Sequence, residues 1–495
     1  MRVSWDSIYG LCQYIYIEKE LIPAVYGRYL SDHNSFDSRN EAKKALQVPT
    51  SSNLIRIYFQ VDKVSFSPDN QLVFAASYKA GLVLVFSVSE PDWRARVEAG
   101  LSGAVGVAWG GDSRHLVTLA EWATMVTVWS LASSSAGVQF IRNPKPWTTS
   151  PETVLHNRDL TYSFIIERRE GRDCLNIFTP DWQLVRQTVL DTEDAAGAVW
   201  SPASDLVCVW DTSLYYRVQV VSVDGRLVWD YSAYEHQLGI RSCAWSPDGR
   251  LLAVASYDNR VRIFCSQFWT LVHDIDHVGA LHEADPVTSR AVVYNESSVE
   301  AEEGDLETRL ALEMGGAGVF LSQTRYDTVD ERPVYLDFTR PDHKKAGAAN
   351  IRVGVGVMAW SSDGRYLATK CSNLATTVWV WDLASVQLVA LLVHQDPVRN
   401  LAWDPTLPRL ALVTGAGASV YIWSPLGALV ARVPSVVRGE LEGMTEVSWG
   451  KRSRDLALSN RGHVVLVHVS SDKKARVREV ESDLDLEPSR EESSA

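Results

Sequence analysis

CAWSPDGRLLAVASYDNRVRIF, residues 243–264, sets an aromatic residue before a Ser-Pro-Asp-Gly turn, then an apolar run, a second polar turn and a β-branched run ending in Phe264. Period-two alternation between turns rich in Pro, Asp, Gly and Asn is the pattern of short antiparallel strands. The pattern recurs as VSFSPDNQLVFAAS from Val64, VAWGGDSRHLVTLA from Val107, AVWSPASDLVCVW from Ala198, MAWSSDGRYLATK from Met358, LAWDPTLPRLALV from Leu401 and VSWGKRSRDLALS from Val447. The shared aromatic falls at Phe66, Trp109, Trp200, Trp245, Trp360, Trp403 and Trp449, with separations of 43, 91, 45, 115, 43 and 46 residues. A period of about 40 to 45 residues leaves two gaps to explain. The gap of 91 holds a degenerate unit from Leu155, with His156 in the aromatic position, and the gap of 115 holds a unit plus a long insertion.

Each unit continues to a third run ending in an aromatic, as at Phe86, Phe264, Trp381 and Trp423, and often to a fourth opened by a large residue, as at Trp93, Trp182 and Trp269. Four short strands per unit, repeated with turn chemistry between them, predict an all-β propeller. A single blade cannot bury both faces of its sheet, so the core consists of layers between blades, and the 18 tryptophans are read chiefly as packing residues. Seven clear units and one degenerate unit predict eight blades, with seven or nine as alternatives.

Two units place a His nine residues before the repeat Trp, His236 before Trp245 and His394 before Trp403. Over roughly residues 55–470 the chain resembles the WD-repeat family, in which a His, a Ser or Thr, an Asp and a Trp form a buried hydrogen-bonded set. The resemblance assigns His236, Ser256 and Asp258 to one such structural set, with Phe264 in place of the Trp. It assigns His394 to a second set, which lacks the Asp.

Outside the repeats, residues 1–52 read as an irregular N-terminal segment and 471–495 as a disordered charged tail. Blades are expected over 53–272 and 351–470, separated at 273–350 by an irregular blade carrying an acidic insertion. That insertion, NESSVEAEEGDLE at 295–307, contains no basic residue. Strand-like AVVYNE (291–296) and RPVYLDF (332–338) flank it, as pieces of the irregular blade. Glu300, Glu302 and Glu303 are candidate partner-binding residues, the alternative being a solvated loop of no further role.

A net charge of −13 argues against a general nucleic-acid or anionic-membrane binder. Six cysteines without CxxC spacing suit a reducing compartment, cytosol or nucleus. The first thirty residues are broken by Arg2, Asp6, Glu18, Lys19 and Glu20, so neither a targeting peptide nor a membrane span is expected there. HDIDH (273–277) offers two imidazoles and two carboxylates but no third His at ligand spacing, and His277 sits where a blade-joining His belongs. The Gly clusters at Thr414 and Met314 open no helix after a strand, so they do not form a phosphate cradle. No GxSxG, HExxH or GKS/T motif occurs. No catalytic residue, metal or cofactor is expected, which leaves a rigid protein-interaction scaffold.

Several segments go beyond generic repeat grammar: YSAYEHQLGIRSCAWSP (231–247), VWDTSLYYRVQVVSVDGRL (209–227), SYKAGLVLVFSVSEPDW (77–93), the DWQLV…DTED run (181–194) and VGVGVMAWSSDGRYLAT (353–369). They resemble the centrosomal WD-repeat family transcribed antisense to a p53-family gene. The resemblance implies a non-enzymatic adaptor in the cytoplasm and cytoskeleton, at the centrosome, microtubule-organising centre or spindle pole. Its implied partners are a coiled-coil anchoring protein and a minus-end-directed kinesin, with roles in spindle and cilium assembly. The competing class is a WD-repeat subunit of another complex, for ubiquitin ligation or RNA processing. Tyr234 and Glu235, in wording shared with the family, are candidate partner-binding residues, local packing of Tyr234 being the alternative.

Overall fold

The structure, a computed structural model, describes residues 61–90, 93–131, 138–145, 155–203, 205–298, 324–336, 338, 353–415, 419–432, 443–450, 453, 455–460 and 464–468. The expected N-terminal segment, the C-terminal tail and Glu300, Glu302 and Glu303 lie outside these residues.

The quoted stretch shows why the local sequence folds as it does. Its runs become the strands Ile240–Trp245, Leu251–Ser256 and Arg260–Cys265, paired antiparallel and completed by Thr270–Asp276. In the first turn Ser246 Oγ donates to Asp248 Oδ1 (2.6 Å) and accepts Leu251 N–H (2.9 Å), and Gly249 supplies the left-handed φ of 69°. Ser67 with Asp69 and Ser361 with Asp363 repeat this hydroxyl-to-carboxylate bond, so the Ser-x-Asp element of the repeat is a turn-forming device.

Among the described residues, eight sheets of three or more strands follow one another with the same strand order. Seven contain four consecutive antiparallel strands, beginning at Lys63–Phe66, Gly106–Trp109, Leu155–His156, Ala195–Trp200, Ile240–Trp245, Val355–Trp360 and Asn400–Trp403. The eighth has three described strands, Glu446–Trp449, Asp455–Ser459 and Val464–His468. These are blades 1 to 8. The first strands of neighbouring blades are the ones that approach each other, so they line the hub while fourth strands lie at the rim. Apolar clusters span the gaps between blades. Phe164, Leu175, Trp200 and Val209 fill the gap between blades 3 and 4, and Tyr366, Val380, Leu410 and Trp423 that between blades 6 and 7.

A repeated hydrogen bond ties a blade to the one before it. The indole N–H of Trp109 donates to Ser65 O (3.1 Å), Trp200 to Leu155 O (3.0 Å), Trp360 to Ala244 O (3.3 Å), Trp403 to Ala359 O (2.9 Å) and Trp449 to Ala402 O (3.0 Å). In every case the acceptor is the residue just before the shared aromatic of the preceding blade. His156, the degenerate member, donates from Nε2 to Trp109 O (2.8 Å), one residue later, and its Nδ1 accepts from Ser163 Oγ (2.6 Å). Among the described first-strand tryptophans, Trp245 is the one whose buried indole nitrogen has no partner. Its gap is filled instead by Trp229, Trp269 and Phe264, with Trp229 stacked on Trp269 at 4.9 Å.

Among the described residues, the insertion does not make a blade of its own. Val292–Ser298 and Thr324–Val329 form an antiparallel hairpin that joins the rim of blade 6, with Val292–Ser298 running parallel to Gln387–Val393 and producing a six-stranded sheet. The RPVYLDF piece contributes only Val334–Tyr335, which pairs with Ala280–Leu281. The expected irregular blade is therefore corrected. Trp360 reaches Ala244 directly, which leaves no room at the hub for a further sheet between blades 5 and 6.

The two kinds of tryptophan predict different costs of substitution. Trp403→Phe and Trp245→Phe remove similar apolar volume, but only the first orphans a carbonyl. Urea denaturation should show Trp403→Phe less stable than Trp245→Phe by about 1–2 kcal/mol. Equal losses would contradict the role given to the indole bond.

Candidate interaction face

Strand alternation sorts the turns into two faces. Turns between second and third strands share one face with the links from each fourth strand to the next blade; the remaining turns share the other. Ser256, Asp258, Tyr234, Glu235, His236, His277 and His394 all lie on or beside the first of these faces.

In blade 5 the polar set forms without its expected His. Ser256 Oγ donates to Asp258 Oδ1 (2.5 Å), and Arg262 bonds both Asp258 Oδ2 (2.8 Å) and Ser256 Oγ (3.0 Å). Arg262 also reaches the hydroxyl of Tyr216 in blade 4 (3.2 Å) and lies over the rings of Tyr216 and Tyr234. Burial raises the Asp258 carboxyl, but the bonds from Arg262 and Ser256 outweigh it and hold that group below the usual carboxylate range. His236 stands outside, its side chain 93% exposed and its φ at 69°. The assignment of His236 to this set is thus corrected. A guanidinium with five donors satisfies Ser256, Asp258 and Tyr216 at once, and the two tyrosine rings fill the space an imidazole needs.

Tyr234 is half-buried, 4.7 Å from the Tyr216 ring, and its hydroxyl donates to Leu238 O (2.8 Å). Glu235 beside it is exposed. The pair thus divides into a packed residue and a solvent-facing one.

His394 is buried in a different constellation. Its Nδ1 donates to Thr376 O (3.0 Å), and its Nε2 accepts from the Tyr326 hydroxyl (2.7 Å), which comes from the inserted hairpin. Glu296, from the same hairpin, accepts Gln395 N–H (2.9 Å) and the Tyr421 hydroxyl (2.5 Å). Burial lowers the proton affinity of His394 despite these neighbours.

His277 brings together three of the four residue types of the family set. Its Nδ1 donates to Asn259 O (2.8 Å) and its Nε2 accepts from Thr369 Oγ1 (2.7 Å), which in turn accepts the Trp381 indole N–H (3.0 Å). A backbone carbonyl thus serves the imidazole where the family uses an Asp. The spacing of nine residues misses this set because the insertion separates His277 from Trp360. The HDIDH carboxylates, Asp274 and Asp276, both pair with Arg260. Among the described residues no group of three or more His, Cys, Asp or Glu is placed to hold a metal.

Large apolar side chains stand out from this face: Trp122 is 91% exposed in a turn of blade 2, Leu214 72% exposed in blade 4 beside Tyr215, and Tyr335 75% exposed next to the link after blade 5. These positions, unlike the repeat tryptophans, have no packing explanation in the sequence pattern.

Two measurements check the turns of this face. Tyr234→Ala should lower the melting temperature, whereas Glu235→Ala should leave it unchanged; the reverse order would contradict the packing described. Burial pushes the His277 pKa down to about 4, while the unfolded chain titrates near 6.5. The unfolded state therefore takes up the proton first on acidification, and this contribution to stability, complete above about pH 6.5, declines toward pH 4 by about 3 kcal/mol. A His277→Gln variant should be less stable than the parent at pH 7 and show a shallower loss between pH 7 and 5 in thermal melts.

Comparison with known proteins agrees with this architecture. The family model for the anaphase-promoting complex subunit 4 WD40 domain matches residues 198–282, blades 4 and 5. The mouse (Mus musculus) WD repeat-containing protein WRAP73 is 34% identical over 453 residues, 90% of this chain and 94% of that protein. An uncharacterized WD repeat-containing protein of Schizosaccharomyces pombe, C32H8.09, is 22% identical over 335 residues, 67% of this chain and 62% of that protein. WD repeat-containing protein VIP3 of Arabidopsis thaliana is 29% identical over 180 residues, 35% of this chain and 49% of that protein.

With the fold, the blade-by-blade indole bonds and a relative 34% identical along nine-tenths of its length in agreement, the chain belongs to the WRAP73 family of WD-repeat proteins.

Proposed function

We propose that this chain is a non-enzymatic protein-interaction scaffold acting at the centrosome or spindle pole. In this reading it binds a coiled-coil anchoring partner and a minus-end-directed kinesin, and so supports minus-end anchoring of microtubules and assembly of spindle and cilium. The observation that carries it is the relationship to WRAP73 along 90% of the chain, together with the family wording in segments that the propeller itself does not require. The structure is compatible with that role in a specific way. A propeller holds its turns on a fixed frame, so a partner binds without ordering the surface first, and Trp122, Leu214 and Tyr215 are exposed on one face.

The second reading, a subunit of a ubiquitin-ligase assembly, draws on the match of blades 4 and 5 to the anaphase-promoting complex subunit 4 domain. That match is confined to two blades.

Affinity capture of the tagged chain from dividing cells separates the readings. The proposal expects a coiled-coil pericentriolar protein and a kinesin among the captured partners, with the tagged chain concentrated at spindle poles. Ligase subunits in place of these, with no polar concentration, would overturn it. Trp122→Ser and Leu214→Ser should reduce capture by about tenfold or more if these side chains anchor a partner, without a shift in melting temperature.

A further inference from the structure

Four residues before the shared aromatic, in or immediately before the first strand, stand Asp62, Val105, Ala196, Arg241, Gly356, Arg399 and Thr445 in the blades where this position is described. Two arginines thus occupy equivalent places in blades 5 and 7, flanking a glycine in blade 6. Lys370, paired in register with Val357 of the blade 6 first strand, adds a third cation between them. All three sit where the hub opens onto the face described above.

The arginines use the space that two glycines leave. A Cβ on Gly356 would stand 3.1 Å from Arg241 Nε and 3.2 Å from its Nη2, so this guanidinium lies across the empty position of the next blade. A Cβ on Gly415 would stand 2.9 Å from Arg399 Cγ, so the stem of Arg399 lies over a turn of its own blade. Arg241 is fixed by a bond from Nη1 to Val353 O and by the Tyr257 ring, 5.4 Å from its Cζ. Lys370 Nζ donates to Val398 O (2.6 Å). Arg399 is exposed.

Among the described residues, none of these three cations makes an ion pair, although the chain carries 61 acidic residues against 48 basic ones. The contrast with their neighbours is informative: Arg260, Arg262, Arg365 and Arg409 are all paired with aspartates. Arg241 keeps its Nε–Nη2 edge, the side of the guanidinium that matches a carboxylate with two parallel bonds, free of described hydrogen bonds. Burial lowers the proton affinity of both Arg241 and Lys370, and the charge of Arg399 adds to the effect on Lys370, so an incoming anion would relieve a cost already present in the free protein.

We infer that Arg241, Lys370 and Arg399 form a docking site for a carboxylate-rich peptide segment of a partner protein, laid across the hub opening of blades 5 to 7. Three cations spread over consecutive blades suit an extended segment better than a single small ion. The inference rests on the scaffold reading only in that the ligand belongs to another protein.

The test uses the full-length chain and a dye-labelled peptide of alternating Glu and Gly, followed by fluorescence anisotropy, with the Lys-Gly counterpart as control. The acidic peptide should bind, weaken as salt rises, and lose about tenfold in affinity on Lys370→Met, on Arg399→Gln and on Arg241→Lys, the last keeping charge but not the fork. Arg399→Gln should leave the thermal melt unchanged, which keeps the test readable if either of the others fails to fold. Equal binding of acidic and basic peptides, or unchanged affinity for Arg399→Gln, would overturn the site. A neutral peptide bearing one phosphoserine that binds more tightly than the acidic one would overturn the carboxylate assignment. Acidic-peptide binding by a chain that captures no polar partner would sink the centrosomal reading and leave this site standing.

Discussion

The architecture depends on an indole N–H reaching back to the edge of the preceding sheet. Each blade begins with an edge strand, whose alternate carbonyls have no neighbouring strand to accept from. An unpaired carbonyl at a dry interface costs free energy, and a hydrogen-bond donor that also brings a large apolar ring meets both needs. The repeat supplies one at the same place in most blades, so that each closes the edge of the one before it. Where the ring is an imidazole, at His156, the bond survives with a shift of one residue. Where it fails, at Trp245, a stack of aromatic rings takes over the gap.

That constraint explains where the insertion can go. With Trp360 bonded to Ala244, the hub side of the junction is closed, and the extra chain must leave toward the rim. There it adds a strand parallel to Gln387–Val393, covering one edge and creating another. It also sends Glu296 and Tyr326 into the junction of blades 6 and 7, where they bond Gln395, Tyr421 and His394. The insertion is therefore part of the structure at its base, whatever role its acidic residues have.

The fold was legible because its determinants are local and repeated: an aromatic, a Ser-x-Asp turn and period-two strands recur at nearly fixed spacing. The degenerate unit at His156 was legible for the same reason. What the sequence did not reveal came from pairings between residues far apart in the chain. Arg262 displaces His236 because Tyr216, 46 residues away, shares its donors. The set at His277 was obscured by an insertion that separates His277 from its Thr369 partner by 92 residues. Of the candidate site, the sequence left Tyr234 open between partner binding and local packing, and the Tyr216 ring 4.7 Å away places it in the packing, while Glu235 beside it is exposed. The cations at the hub are a register effect, visible once the blades are aligned on their tryptophans.

The direct measurement is hydrogen exchange of individual tryptophan indoles by nuclear magnetic resonance on selectively labelled protein. Indoles that close the preceding blade should exchange slowly, at Trp109, Trp200, Trp360, Trp403 and Trp449, whereas the solvent-facing Trp122 should exchange fast. Fast exchange at Trp360, matching that of Trp122, would contradict the closed junction between blades 5 and 6 and with it the eight-bladed order.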